Sequence, residues 1–157
     1  MGVLAGWRTN LARVSSPALG AEVLWRTPLL RGRLLVGARA SWYGERATVP
    51  AGAGAAPVAS SAQVFPLAAV ALHEWPLGWA TVRAGAGVGA DLTWLSVGRA
   101  SELVASPSAL LLLNGSRRLG PGEAVLEVAA SAGSMEASTA SLRTSGLSLS
   151  AGYRLRP

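Results

Sequence analysis

From Trp79 to Leu95 the chain alternates in kind at nearly every step. One parity reads Ala80, Val82, Ala84, Ala86, Val88, Ala90, Leu92 and Trp94; the other reads Thr81, Arg83, Gly85, Gly87, Gly89, Asp91 and Thr93. A period of two with one apolar face is the mark of a strand. The run is about three times as long as the mean soluble strand. Arg31 to Tyr43 repeats the arrangement, with Gly32, Leu34, Val36, Ala38, Ala40 and Trp42 against Arg31, Arg33, Leu35, Gly37, Arg39, Ser41 and Tyr43. So does Thr144 to Leu155, where Leu147, Leu149, Ala151, Tyr153 and Leu155 oppose Gly146, Ser148, Ser150, Gly152 and Arg154. Leu19, Ala21, Val23 and Trp25 oppose Gly20, Glu22 and Arg26; Leu126, Val128, Ala130 and Ala132 oppose Glu123, Glu127 and Ser131. Gly2–Arg8, Gln63–Leu72 and Glu102–Asn114 alternate less cleanly. Together these segments predict eight strands, an even number that returns the chain to its starting side.

The connections alternate as well. Short turns are predicted at Thr27-Pro28, Glu74 to Gly78 and Arg117 to Gly122. The others are Leu11–Pro17, the long Gly44–Ala62, in which Ala47–Ala62 reads as a small-residue loop, Gly98–Ser101 and Gly133–Ser138. A helical membrane protein fits less well. The uncharged stretch Ala47–Leu72 is broken by Pro50, Pro57 and Pro66, and Leu103–Leu113 is too short to span and contains Pro107. The pattern therefore predicts an all-β, up-and-down antiparallel barrel over residues 1–157.

Which way the barrel faces follows from the charge. Half the residues are hydrophobic and 14% are charged, well under the ~25% of soluble domains. A soluble barrel hides its apolar set and covers its exterior with charge. Here the polar set is mostly Gly, Ser and Thr, with a few Arg, Glu and Asp, which suits a narrow lumen. Backbone groups in hydrocarbon must be satisfied within the protein, and a closed sheet with an apolar exterior does this. A soluble barrel binding an apolar ligand is the reading with the faces reversed. Trp7, Trp25, Trp42 and Trp94 fall on the apolar parity near predicted strand ends, and Trp75 and Trp79 flank a turn. With Tyr153 they form a candidate interfacial girdle.

The net charge of +6 comes entirely from arginine. The arginines form no run and no aromatic-rich module accompanies them, so nucleic acid is not an expected partner. There is no cysteine, which excludes disulfides and thiolate metal sites. One His among scattered carboxylates does not make a metal site, and no cofactor is expected. Neither a basic n-region nor a small-residue cleavage site opens the sequence, so the expectation is that Met1 replaces a removed leader or that the barrel is one domain of a longer protein.

The last strand, Leu147 to Pro157, resembles the terminal assembly signal of outer-membrane barrels through Ser150, Gly152 and Leu155, although Pro157 stands where that pattern has an aromatic. The chain as a whole resembles the small OmpA-like and OmpX-like barrels in architecture. That resemblance implies a bacterial outer-membrane location with both termini in the periplasm. It also implies insertion by the barrel-assembly machinery, and contact with outer-membrane lipids and lipopolysaccharide, as a monomer or an oligomer of unspecified order.

The inward parity assigns Arg8, Glu22, Arg26, Arg31, Arg33, Arg39, Arg83, Asp91, Glu123, Glu127 and Arg154 to a lumen ion-pair network. Eight strands leave an interior just filled by side chains, and charges there are too costly to leave unpaired. A plugged lumen implies an anchor, envelope-stabilising or surface-contact role without catalysis. An arginine-lined anion pore is the alternative. Gly85, Gly87 and Gly89 either open space for arginines or permit sharp coiling. A lipid-modifying enzyme would need His and Ser clustered at the extracellular strand ends, and His73 falls by a turn at the other end. The loop arginines Arg13, Arg46, Arg99 and Arg143 are candidates for lipopolysaccharide phosphates.

Overall fold

The computed structural model describes residues 1–9, 15–49, 58–97, 100–136, 141–143 and 145–155. The strands are β1 (Gly2–Thr9), β2 (Ser15–Arg26), β3 (Leu34–Val49), β4 (Val58–Pro76), β5 (Thr81–Val97), β6 (Ala100–Leu119), β7 (Gly122–Glu136), β8 (Ser141–Arg143) and β9 (Gly146–Leu155), with a short coiled turn, α1 (Leu29–Gly32), whose central residues are left-handed, between β2 and β3. Each strand pairs antiparallel with its neighbour, and β9 pairs with β1 to close the sheet. β8 and β9 lie along β7 in one continuous register, Ser134 opposite Arg143 and Ser131 opposite Gly146. They count as one stave, and the barrel has eight. Among the described residues no helix is long and apolar enough to cross a membrane; the strands are the elements that can.

One end carries the tight connections α1, 77–80 and 120–121 together with both described termini, where the Leu155 amide donates to the Met1 carbonyl at 2.8 Å. This is the turn end. Toward the far end β3 to β6 run on for 16, 19, 17 and 20 residues, longer than the 9–11 needed to cross a bilayer. Strand therefore replaces most of the loop expected at Gly44–Ala62, because 44–49 of β3 and 58–62 of β4 stay paired in register. Small residues at 58–62 and the adjacent charges Glu45 and Arg46 break the alternation, yet the backbone pairs as well as any other once a neighbouring strand supplies the ladder.

The barrel is narrow, and its inner wall shows it. A Cβ built on Gly85 would meet the Ala71 carbonyl oxygen at 1.9 Å, and one on Gly89 the Leu67 carbonyl oxygen at 1.9 Å. These glycines allow β5 to coil against β4; they are not there to make room for arginine. Outside, Val3, Leu19, Val88, Leu111, Leu126 and Leu149 are all exposed, and among the described residues no charged side chain interrupts the middle of that face. For a protein in water such an apolar surface would be far beyond the usual patch size. In lipid it is the required exterior.

Candidate functional site

The lumen is built in layers from inward side chains. Nearest the turn end, β4 and β5 set Glu74 directly opposite Arg83, and β7 and β9 set Glu123 opposite Arg154. Arg83 donates from Nε to Glu74 Oε2 at 2.8 Å and straddles Glu123 with Nη1 at 2.8 Å and Nη2 at 3.1 Å. The Ser116 hydroxyl accepts from Arg83 at 2.9 Å and donates to Glu123 at 2.5 Å. Arg26 reaches inward from the rim to Glu74 at 2.6 Å and gives its other amino group to the Gly32 carbonyl at 2.6 Å. Arg154 donates from Nε to Glu22 Oε1 at 2.9 Å. That contact crosses β1 at Gly2, which is paired with both residues. A Cβ on Gly2 would sit 3.3 Å from Glu22 Oε1 and 3.4 Å from Arg154 Cβ, so the pair passes where a strand offers no side chain.

Further along the axis Arg39 pairs with Glu127 at 2.5 Å. Arg8 stacks 4.1 Å over the Tyr43 ring and donates to Ser131 at 2.7 Å. Asp91 is buried and lines a chamber of about 40 Å³ with Arg8, Arg39, Ser41, Ser108 and Ser148. A chamber of that size exceeds one water-probe sphere and fits only a few waters. Between the charges sits an apolar cluster of Leu35, Val70, Leu72, Leu112 and Ala129, flanked by Leu24, Ala68 and Leu110, with Leu72 fully buried. At the turn end an open vestibule of about 300 Å³ leads as far as Arg83, Glu123 and Arg154.

Two of the arginines expected in the lumen are not there. Arg31 and Arg33 are exposed in the α1 turn. β2 ends at Arg26 and β3 begins at Leu34, so strand parity does not extend to them. Leu30 and Arg31 instead take φ of 50° and 59°, a left-handed backbone that no strand contains. Glu74 was missed for the opposite reason. It reads as the start of a turn, but β4 continues through it to Pro76, and its parity with Val70 and Leu72 was the available signal. The apolar cluster was missed because β4 and β6 carry apolar residues on both faces there, which erases the period.

On the outer face Trp7, Trp25, Trp75, Trp79 and Trp94 are exposed, while Trp42 and Tyr153 are half-buried. They lie at two levels. Trp25, Trp75, Trp79 and Tyr153 are toward the turn end; Trp7, Trp42 and Trp94 are toward the other. Tyr153 donates its hydroxyl to the Leu119 carbonyl at 2.8 Å. His73 also faces outward within β4, its ring edge-on to Trp75 at 4.5 Å, not in the solvated turn expected for it. Among the described residues no three His, Asp or Glu side chains converge as metal ligands. Arg13 and Arg99 lie outside the described residues; Arg46 and Arg143 fall on β3 and β8.

No protein-family model and no curated sequence matches the chain. The structure superposes on Neisserial surface protein A with a TM-score of 0.74 at 12% identity, over 99% of this chain and 94% of that one. Ail, the attachment invasion locus protein of Yersinia pestis, aligns at 11% identity over 97% of this chain and 93% of its own, with a TM-score of 0.44. A structure of Ail in complex with the heparin analogue sucrose octasulfate gives 0.47 at the same identity and coverage. The two Ail superpositions are too loose to bear on this chain. What the chain shares with Neisserial surface protein A is its fold, the closed eight-stranded antiparallel barrel of small outer-membrane proteins.

Proposed function

We propose that this chain is a non-conducting, non-catalytic barrel of a bacterial outer membrane, serving as an anchor, envelope-stabilising or surface-contact module, with its turn end and termini in the periplasm. The carrying observation is the filled lumen. Arg26, Arg39, Arg83 and Arg154 each have a carboxylate partner, and Leu35, Val70, Leu72 and Leu112 close the space between them. An anion passage needs arginines that present unspent charge to a water column. Paired guanidiniums beside a leucine plug do not offer it. Outer-membrane lipid, lipopolysaccharide at the far end and the assembly machinery at the last strand are the partners this reading entails. The lumen, Trp and Tyr residues named above would be its structural machinery.

The experiment is refolding into detergent, a heat-modifiability gel, and then planar-bilayer recording. A band that shifts only on boiling is expected, followed by no steady conductance. Stable open levels would replace the plug with a pore. A band that never shifts would leave a soluble domain.

A further inference from the structure

The turn end is not built like a set of turns that project into water. Leu29 and Leu30 on α1 are exposed, as are Leu77 and Trp79 in the next connection, where Trp79 is 76% exposed, and Leu119 at the third. Water-facing turns are ordinarily polar. Four arginines stand among these apolar residues, Arg31 and Arg33 on one side and Arg117 and Arg118 beside the β6–β7 connection, four staves away around the barrel. All four are exposed, and none forms an ion pair among the described residues. The side-chain carboxylates described at this end are Glu22, Glu74 and Glu123. All are buried, aimed into the lumen and held by Arg26, Arg83 and Arg154. The network thus takes the side-chain negative charge inward, and the exposed charged side chains described at the rim are all arginines.

The rim is also held in place. Arg26 ties the Gly32 carbonyl, Thr27 donates from its amide at 2.9 Å and from its hydroxyl at 3.0 Å to the Leu34 carbonyl, and the Glu74 amide donates to the Arg33 carbonyl at 2.9 Å. The turn that exposes Leu29 and Leu30 beside Arg31 and Arg33 is therefore held by hydrogen bonds to the Leu30, Gly32, Arg33 and Leu34 carbonyls. Apolar side chains at acyl depth with guanidiniums at phosphate height make an interfacial contact.

We propose that the turn end is a docking surface for an anionic phospholipid leaflet, with Leu29, Leu30, Leu77, Trp79 and Leu119 entering the acyl boundary and Arg31, Arg33, Arg117 and Arg118 taking the headgroup phosphates. This rests on the membrane-barrel reading above. The leaflet is a glycerophospholipid one because, on that reading, this end is the periplasmic one and lipid A phosphates face the other. Charge complementarity selects the occupant. A cationic rim with no exposed side-chain carboxylate among the described residues favours phosphatidylglycerol over a zwitterionic lipid, by about fivefold for each arginine that reaches the surface.

The test uses the refolded full chain in phosphatidylcholine vesicles that carry a trace of spin-labelled phosphatidylglycerol, phosphatidylcholine or lipid A. The fraction of each probe immobilised by the barrel is measured. Phosphatidylglycerol should be immobilised at least about fivefold more strongly than phosphatidylcholine. The preference should collapse in high salt, and in the R31S/R33S/R117S/R118S variant, whose heat-modifiable band should be retained. Equal immobilisation of the two phospholipids overturns the proposal, as does a preference that survives the substitutions or salt. Stronger immobilisation of lipid A overturns the choice of leaflet. If the quadruple variant does not fold, the salt titration of the unsubstituted chain decides alone. A chain that fails to fold in any vesicle overturns the barrel reading itself, which is a different result.

Discussion

Arg83 is the side chain on which the lumen network turns. It makes three charge-assisted hydrogen bonds to two carboxylates, at 2.8, 2.8 and 3.1 Å, and its side chain is 3% exposed. Bonds to charged groups contribute roughly 1.5–3 kcal/mol each, so the gross interaction is about 5–9 kcal/mol. Not all of it is lost in Arg83→Met. Glu74 keeps Arg26, and Glu123 keeps the Ser116 hydroxyl and an Arg154 amino group at 3.8 Å. Breaking a buried pair by removing one partner costs about 3–5 kcal/mol, mostly because a charge is left stranded, and that range is expected here. Urea-dependent folding in detergent micelles, followed by tryptophan emission, measures it, because the indoles sit on the outer face and do not touch the network. The double variant Arg83→Met/Glu123→Leu removes the carboxylate left with only a hydroxyl and a distant guanidinium, and should recover at least half of the loss. A cost of Arg83→Met under about 1 kcal/mol, the level of a solvent-exposed pair, would refute the buried network. So would a double variant no more stable than the single one.

Gly85→Val should abolish the heat-modifiable band, since its Cβ meets a backbone carbonyl at 1.9 Å, whereas Gly115→Ala, with nothing within 4 Å, should leave the band unchanged. Val88→Arg places a cation near the middle of the outer face and should cost about 2–4 kcal/mol in the same urea titration; no loss there would mean that this face does not meet lipid. Lipids brominated near the headgroup should quench tryptophan emission more than lipids brominated at mid-chain, as two interfacial levels require. Stronger mid-chain quenching would displace the girdle. In recordings across planar bilayers, Leu72→Ala alone should stay closed, because Val70 and Leu112 still flank the gap; an open level would show that one leucine makes the seal.

How much of this is legible without coordinates depends on what the two faces of each strand carry. β5 is plain because its inner face is polar or glycine and its outer face is apolar along most of its length. β4 and β6 are obscure where they wall the leucine plug, since Val70 inside and Ala71 outside look alike to a pattern. The far end of β4 is obscure because Ala and Ser give no contrast, and that of β3 because Glu45 and Arg46 side by side break the alternation. Which arginine meets which carboxylate depends on register across strands distant in sequence. Arg154 lies near Glu22 only because the seam closes. Parity also misleads where the chain leaves the sheet, which is why Arg31 and Arg33 belong to the rim.

The bridge over Gly2 makes the last stave the keystone of an arch. Arg154 arrives with the final strand and lands on Glu22 from β2 and, more distantly, Glu123 from β7. A chain truncated before Gly146 would leave the Glu22 carboxylate buried without its counter-ion, and the ring would be electrically incomplete as well as one plank short. Completing the circle and neutralising its interior are therefore one event, which favours whole barrels over open sheets.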